Sequence, residues 1–363
     1  MSRAIFRPLA GLVLTLVATG LLSSCDKNPR EKILAKDRVV FMCQHPQGKA
    51  IIPAELKTHS GEVDVIAPMW YDIRPDGRIA LIFPDIDQRD YLAFCRENGI
   101  AVLPVFRNFK PKDFLLNPAA LDRAVREIAE TLKAEGFDGV TIDIEEDCSD
   151  SRTKQPMLDF LSRLYREVRA QERVVCVTFN PVYWGRGWQN EELLPFCDWA
   201  FSMFYDYAGP WNKKALNATA PYEWPEQNRD LKRDVARIMN PANSPKVIFG
   251  IPAYGNRITL DEAGHCLDFK VAYVNEFLAE QREVKAPRQW DPNARTPKFE
   301  YQAQGKRYIV WYEDEESYRW RMTLACELKA AGVGIWSIGA KGGLDHDIWK
   351  VLREYRSGYL CKP

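Results

Sequence analysis

The stretch Phe137-Asp138-Gly139-Val140-Thr141-Ile142-Asp143-Ile144-Glu145 decides how the rest of the chain is read. A β-strand sends successive side chains to opposite faces. Val140, Ile142 and Ile144 then share one face, and Thr141, Asp143 and Glu145 share the other. The first face is wholly apolar, while the second carries two carboxylates two positions apart. If protein covers both faces, burial and mutual repulsion raise the pKa of at least one carboxyl group. A raised carboxyl pKa suits a general acid working near neutrality. From spacing alone a plainer reading stays open, in which two charges at a strand end simply meet solvent.

Outward from this strand, short apolar runs alternate with amphipathic stretches. Strands are expected at 38–42, 63–69, 100–106, 139–145, 174–179, 199–205, 247–252 and 334–338. Helical patterns run through 89–98, 119–135, 154–171, 228–239 and 316–331. Many of the strands are rich in Val, Ile and Phe with little polar alternation, as strands covered on both faces are. Asp87 and Asn117 stand where N-caps are expected, and Gly99, Gly136 and Gly332 stand as C-caps. Eight such units predict an α/β fold, a (β/α)8 TIM barrel. Asp143 and Glu145 then point inward near the C-terminal mouth, where such barrels place their chemistry. Asp138 starts the strand low in the barrel and reads as structural. The connection between the seventh strand and Trp311 is too long for a plain loop, so about 256–310 is expected to be a small α+β insertion.

Composition narrows the function classes. The 363 residues include 50 Lys plus Arg against 50 Asp plus Glu, which argues against a nucleic-acid binder and leaves no polybasic handle for an anionic membrane surface. Hydrophobic residues are 46% and aromatics 12%, enough for a large core and too much for a disordered chain. His45, His59, His265 and His346 lack ligand spacing and no Cys-x-x-Cys occurs, so no metal is expected. Nothing indicates a nucleotide cofactor. A monomer is the default expectation.

The N-terminus has the form of an export signal. Arg3 and Arg7 precede an apolar run at 9–22 that is short for a membrane-spanning helix, and the run ends in Leu22-Ser23-Ser24-Cys25. That ending resembles a bacterial lipobox, which implies removal of 1–24 and a lipid on Cys25. Asp26 resembles an inner-membrane retention signal of some lipoproteins. Residues 25–37 are polar and read as a tether, with 38–363 as the catalytic barrel. The expected location is the bacterial cell envelope, lipid-anchored on the periplasmic side of the inner membrane or on the outer membrane. Eight further cysteines, Cys43, Cys95, Cys148, Cys176, Cys197, Cys266, Cys326 and Cys361, allow disulfides in an oxidising compartment. Cys176 falls in a strand and Cys95 and Cys326 in helical patterns, so several of the eight are read as plain buried thiols. The pairing stays open.

The pattern Asp138-Gly139-x-Thr141-x-Asp143-x-Glu145 resembles the D-G-x-D-x-D-x-E strand of family-18 glycoside hydrolases, the chitinase family. Further segments follow that family in order: Met203-Phe204-Tyr205-Asp206, Gly250-Ile251-Pro252-Ala253-Tyr254-Gly255, Trp311-Tyr312-Glu313-Asp314 and Gly332-Val333-Gly334-Ile335-Trp336-Ser337. The resemblance runs from about residue 38 to 356 and is nearest the branch holding di-N-acetylchitobiase and spore-cortex peptidoglycan hydrolases. It implies a retaining, substrate-assisted glycoside hydrolase acting on N-acetylglucosamine glycans, either peptidoglycan or chito-oligosaccharides. Glu145 is the implied acid/base. Asp143 is the implied stabiliser of an oxazolinium intermediate, and Tyr205 orients the acetamido group. Met203, Asp206 and Trp336 are implied substrate contacts. Asn108, Tyr71 and Asn180 lie at or near predicted strand ends and are added as candidate cleft residues. Trp70, Trp184, Trp211 and Trp224 are candidate sugar platforms or rim packing.

The chain departs from the family pattern at two points. Thr141 stands where many chitinases carry an acid, which removes a like charge beside Asp143 and favours its ionisation. Leu103-Pro104-Val105-Phe106-Arg107-Asn108 lacks the small S-x-G-G run of many members, which implies a bulkier cleft wall. The alternative reading is a glycan-binding lipoprotein on the same fold with weak or no turnover.

Overall fold

The structure is a computed structural model that describes residues 28–45, 51–145, 150–180, 190–227, 229–339, 344 and 346–362. The strands in chain order are β1 (Val39–Gln44), β2 (Val65–Ile73), β3 (Ile79–Leu81), β4 (Ala101–Val102), β5 (Val105–Asn108), β6 (Gly139–Ile144), β7 (Val174–Phe179), β8 (Trp199–Ser202), β9 (Val247–Pro252), β10 (Tyr254–Leu260), β11 (Cys266–Tyr273), β12 (Gln289–Asp291), β13 (Thr296–Ala303), β14 (Lys306–Trp311) and β15 (Gly332–Ile338). The helices are α1 (Pro29–Leu34), α2 (Ala54–Thr58), α3 (Arg89–Glu97), α4 (Pro111–Leu115), α5 (Pro118–Glu135), α6 (Lys154–Ala170), α7 (Leu231–Ile238), α8 (Val274–Val284), α9 (Glu315–Glu327) and α10 (His346–Arg356).

Parallel pairing runs β1-β15-β9-β8-β7-β6-β5-β2, and β2 pairs back onto β1, so the sheet closes into an eight-stranded barrel. The expected third strand is broken into β4 and β5 at Leu103-Pro104, because a proline has no N–H to give the ladder. Its carbonyl still accepts from Thr141 N at 2.9 Å. Inside the barrel, Val39, Phe41, Val65, Leu103, Val105, Cys176, Trp199, Phe201 and Ile248 form a packed core. Gly334 is required there, since a Cβ would lie 2.2 Å from the Phe201 ring. The apolar faces of α3, α5, α6 and α9 pack on the outer layer, which includes Val140, Ile142, Phe160 and Leu164.

Local rules explain the helix ends. Asn117 caps α5 by accepting from Ala120 N, and Gly136 closes it in the left-handed conformation at φ 72°. At α3 the N-cap is Gln88 instead of Asp87, whose carboxylate accepts from Arg89 N at 3.0 Å. Gly332 is no cap: it lies in β15, where a Cβ would meet Val39 O at 2.2 Å. The left-handed residue after α9 is Lys329.

Within the segment expected to be a tether, residues 29–34 form a helix docked on the barrel. Asn28 and Glu31 form a capping box, Pro29 opens α1, and Ile33 is buried against the barrel core. Arg30 bonds Asp198 at 2.5 Å, which ties the helix to the barrel. One buried apolar side chain and one ion pair are enough to dock a short, mostly polar helix, and a composition-based reading does not register them.

The insertion between β9 and β15 is a five-stranded antiparallel sheet in the order β11-β10-β14-β13-β12, with α8 packed on it through Val274 and Phe277. It starts at Tyr254 and ends at Trp311. A buried ion pair helps anchor it. Arg321 of α9 donates to both oxygens of Glu313, Nε at 3.0 Å and Nη2 at 2.8 Å, and both residues are 1% exposed. Arg321 Nη2 also donates to Ala220 O at 2.9 Å and to Thr296 Oγ1 at 3.1 Å, joining the barrel loop, the insert and α9. Glu313→Gln leaves this guanidinium buried without its countercharge, so a loss of about 3–5 kcal/mol is expected in urea unfolding. Cys326, one of the cysteines whose helical setting suggested a plain thiol, is disulfide-bonded to Cys361 and pins the C-terminus to α9. Cys43, Cys95, Cys176 and Cys197 are buried free thiols, and Cys266 is a half-buried one. Cys25 and Cys148 lie outside the described residues.

Candidate active site

The C-terminal ends of the barrel strands gather the chemistry. Strand β6 alternates as expected: Val140, Ile142 and Ile144 belong to the outer layer, and Thr141 and Asp143 face the interior. Asp143 is 5% exposed and accepts from the Thr178 hydroxyl of β7 at 2.7 Å. Glu145, half-buried just past the strand, accepts from the Asn180 amide at 3.2 Å. Thr141 does not bond Asp143; its hydroxyl donates to Leu103 O at 3.0 Å. Asp138 bonds the backbone of Val102 at 2.8 Å.

Burial pushes the Asp143 carboxyl up to about 6, although the Thr178 bond and the Arg107 charge both pull it down. Losing the like charge at position 141 therefore does not return Asp143 to the ordinary range, because desolvation dominates. Asp206 is also pushed up to about 6 by burial, against bonds from Tyr254 and Thr219. It sits in the left-handed region at φ 66°, accepts from the Tyr254 hydroxyl at 2.5 Å and receives Thr219 Oγ1 at 3.4 Å. Such backbone strain in a non-glycine residue marks a position held by its surroundings. Tyr205 is 2% exposed, and its hydroxyl has no hydrogen-bond partner among the described residues. A buried donor left unpaired is costly and calls for an explanation. The Tyr205 ring meets Tyr254 edge-on at 6.0 Å. Met203 is buried in the same interior cluster, and Trp336 of β15 lies half-buried against it, 6.3 Å from the His45 ring.

The structure thus brings together Asp143, Glu145, Asn180, Met203, Tyr205, Asp206 and Trp336. Two of the expected cleft residues go elsewhere. Tyr71 stacks on Phe106 at 4.5 Å and bonds Gln88 at 3.3 Å, between the barrel and its helices. The register of β2 shifts between Met69 and Tyr71, so period two fails there: Trp70 and Tyr71 both turn outward. Asn108 spends its amide on backbone, donating to Ile73 O at 2.9 Å and accepting from Lys110 N at 2.7 Å. Among the platform candidates, Trp70 and Trp224 are buried packing and Trp211 is 59% exposed. Trp184 lies outside the described residues.

Sequence reasoning missed Arg107, Asp72 and Thr178. Period two would have placed Arg107 and Thr178 inward, since each sits two residues beyond an interior Val105 or Cys176. Arg107 Nε donates to Asp72 Oδ1 at 2.8 Å.

The family model of glycosyl hydrolases family 18 matches residues 108–341. The chain belongs to that family. Human di-N-acetylchitobiase is 24% identical over 278 residues, covering 66% of this chain and 69% of its own. YdhD of Bacillus subtilis, named as a sporulation-specific glycosylase, is 25% identical over 230 residues; these are 62% of this chain, but only about half of YdhD, 52%. Among solved structures, a chitinase from Chromobacterium violaceum superposes with a TM-score of 0.73 at 20% identity, covering 88% of this chain and 98% of that one. The spore cortex-lytic enzyme SleL of Bacillus megaterium gives a TM-score of 0.69 at 19% identity, covering 88% and 75%. These likenesses establish the fold.

Proposed function

We propose that the chain hydrolyses glycans containing N-acetylglucosamine, with retention and through an oxazolinium intermediate. The observation that carries this reading is the Tyr205 hydroxyl, buried and unpartnered among the described residues beside a mouth that holds Asp143 and Glu145. A substrate acetamido carbonyl would accept from that hydroxyl and be aimed at the anomeric carbon. Glu145 protonates the glycosidic oxygen as the carbonyl oxygen attacks; the C–O bond to the leaving sugar breaks and the proton departs with it. Asp143 accepts from the acetamido N–H and balances the positive charge of the ring. Glu145, now a carboxylate held by Asn180, takes a proton from water, which opens the oxazolinium from the same face as the departed sugar. Trp336 offers an apolar floor for the ring. A nucleophile carried by the substrate itself gains a large effective molarity, and family 18 is among those exempt from the two-carboxylate scheme.

Peptidoglycan is the preferred substrate, on the proposed location: an envelope lipoprotein held by Cys25 meets that polymer first. The names of SleL, a spore cortex-lytic enzyme, and of di-N-acetylchitobiase fit the same chemistry. Incubation with a chromogenic chito-oligosaccharide and with purified sacculi tests the proposal. Release of reducing ends from either supports it, and sacculi as the faster substrate supports the preference. Binding without hydrolysis of either would establish the alternative of an inactive glycan binder.

A further inference from the structure

Three charges stand in one row around the barrel mouth. Asp72 of β2 is the register partner of Arg107 on β5, and Arg107 is the register partner of Asp143 on β6. Neighbouring strands lie about 4.8 Å apart, so the charges alternate along the wall at close range. The Arg107 guanidinium is fixed from two sides. Its Nε bonds Asp72 and its Cζ lies over the Phe109 ring, 4.9 Å from the centroid, with the side chain 18% exposed. Among the described residues it makes no hydrogen bond to Asp143. The Asp143 oxygens stay available, one to the Thr178 hydroxyl at 2.7 Å and the other to a ligand. A direct Arg–Asp pair would occupy the oxygen that an acetamido N–H needs.

The other groups around Asp143 do not supply a positive charge. On its own strand stand Thr141 and, beyond it, Glu145; β1 contributes Cys43, with His45 just past its end, β7 contributes Cys176 and Thr178, and Tyr205 and Tyr254 belong to the same interior cluster, with Asp206 bonded to Tyr254. Burial and the charge of Arg107 both push the His45 imidazole below its usual range, which leaves it neutral near pH 7. Thr141, at the position where the family pattern carries an acid, has its hydroxyl bonded away to Leu103 O at 3.0 Å.

We propose that Arg107 is a positioning residue for the reaction: clamped by Asp72, it holds Asp143 as a carboxylate without occupying its oxygens. This rests on the reading of Asp143 as the anion opposite the oxazolinium. Asp143 protonation then sets the acid limb of kcat, and removing a neighbouring cation moves that limb upward. The test is kcat against pH on a chromogenic chito-oligosaccharide. Arg107→Met is expected to move the acid limb up by about one pH unit, as opposite charges several ångströms apart at an effective dielectric of about 20 require. Arg107→Lys restores the limb most of the way. Asp72→Asn removes a negative neighbour and moves the limb the opposite way, to lower pH. A purely structural Arg107 would lower kcat by one factor at every pH, with the limb unmoved and lysine no better than methionine; that result overturns the inference. Should Arg107→Met fail to fold, Asp72→Asn decides alone: a downward shift supports the inference and an unmoved limb overturns it. Wild type inactive at every pH would overturn the proposed function and this inference together, whereas active wild type with unmoved limbs overturns this inference only.

Discussion

Glu145→Gln lowers kcat on a chito-oligosaccharide by about a hundred- to ten-thousandfold, the span that a positioned general acid contributes. Glutamine keeps the shape and an oxygen for the Asn180 amide, which reaches Glu145 Oε2 at 3.2 Å, so the fold and KM change little. What it loses is the proton for the leaving oxygen. The loss should therefore depend on the leaving group. With an oligosaccharide leaving group the full deficit appears. With a dinitrophenyl glycoside, whose phenolate departs unaided, the first step recovers and the deficit shrinks to that of the water step. An equal deficit on both substrates, or wild-type turnover in Glu145→Gln, would remove Glu145 from the acid/base role. Steady-state kinetics on the two substrates, with melting temperatures as the folding control, give the answer.

Asp143→Asn is expected to cost about a hundred- to a thousandfold in kcat, the scale of one lost electrostatic stabiliser. Asparagine can still meet Thr178, but it cannot balance a cationic intermediate. The same substitution has an opposite effect on stability, and the sign follows from the shift. The Asp143 carboxyl stands at about 6 in the folded protein, above its usual range near 3.8. Between those values the native state holds the proton more tightly than the unfolded chain, so this group's contribution falls as pH rises from about 4 to 6 and stays low above that. Asparagine resembles the protonated form at every pH. Asp143→Asn should thus raise the melting temperature at pH 7–8 and leave it near wild type at pH 4. A melting temperature unchanged at pH 7–8 would mean that the native site does not strain to keep this carboxylate ionised.

The inward face of β6 was legible because period two is rigid in a regular strand, and Asp143 and Glu145 fall where counting puts them. Asn180, guessed from its place after β7, does bond Glu145. Counting fails where the backbone breaks its own rule. The register shift in β2 turns Tyr71 to the outer layer and leaves Asp72 facing Arg107. Asn108 is near the mouth but has its amide spent on Ile73 and Lys110, which no one-dimensional pattern displays. Trp70 follows a predicted strand end and yet is fully buried, because β2 runs four residues further than its apolar run suggests, to Ile73.

Alternating strands and helices, the capping of α5 by Asn117, and the two-faced carboxylate strand are local properties, and the sequence alone determined them along with the family. Local chemistry repeats with the period of the backbone, so it can be read along the chain. The pairing of Cys326 with Cys361, the Glu313–Arg321 anchor and the row Asp72-Arg107-Asp143 each join residues far apart in the chain. Only barrel closure and register bring those groups together. The ionisation of Asp143 belongs with them, since it is set by how much water the closed barrel excludes and by which cation the neighbouring strand presents.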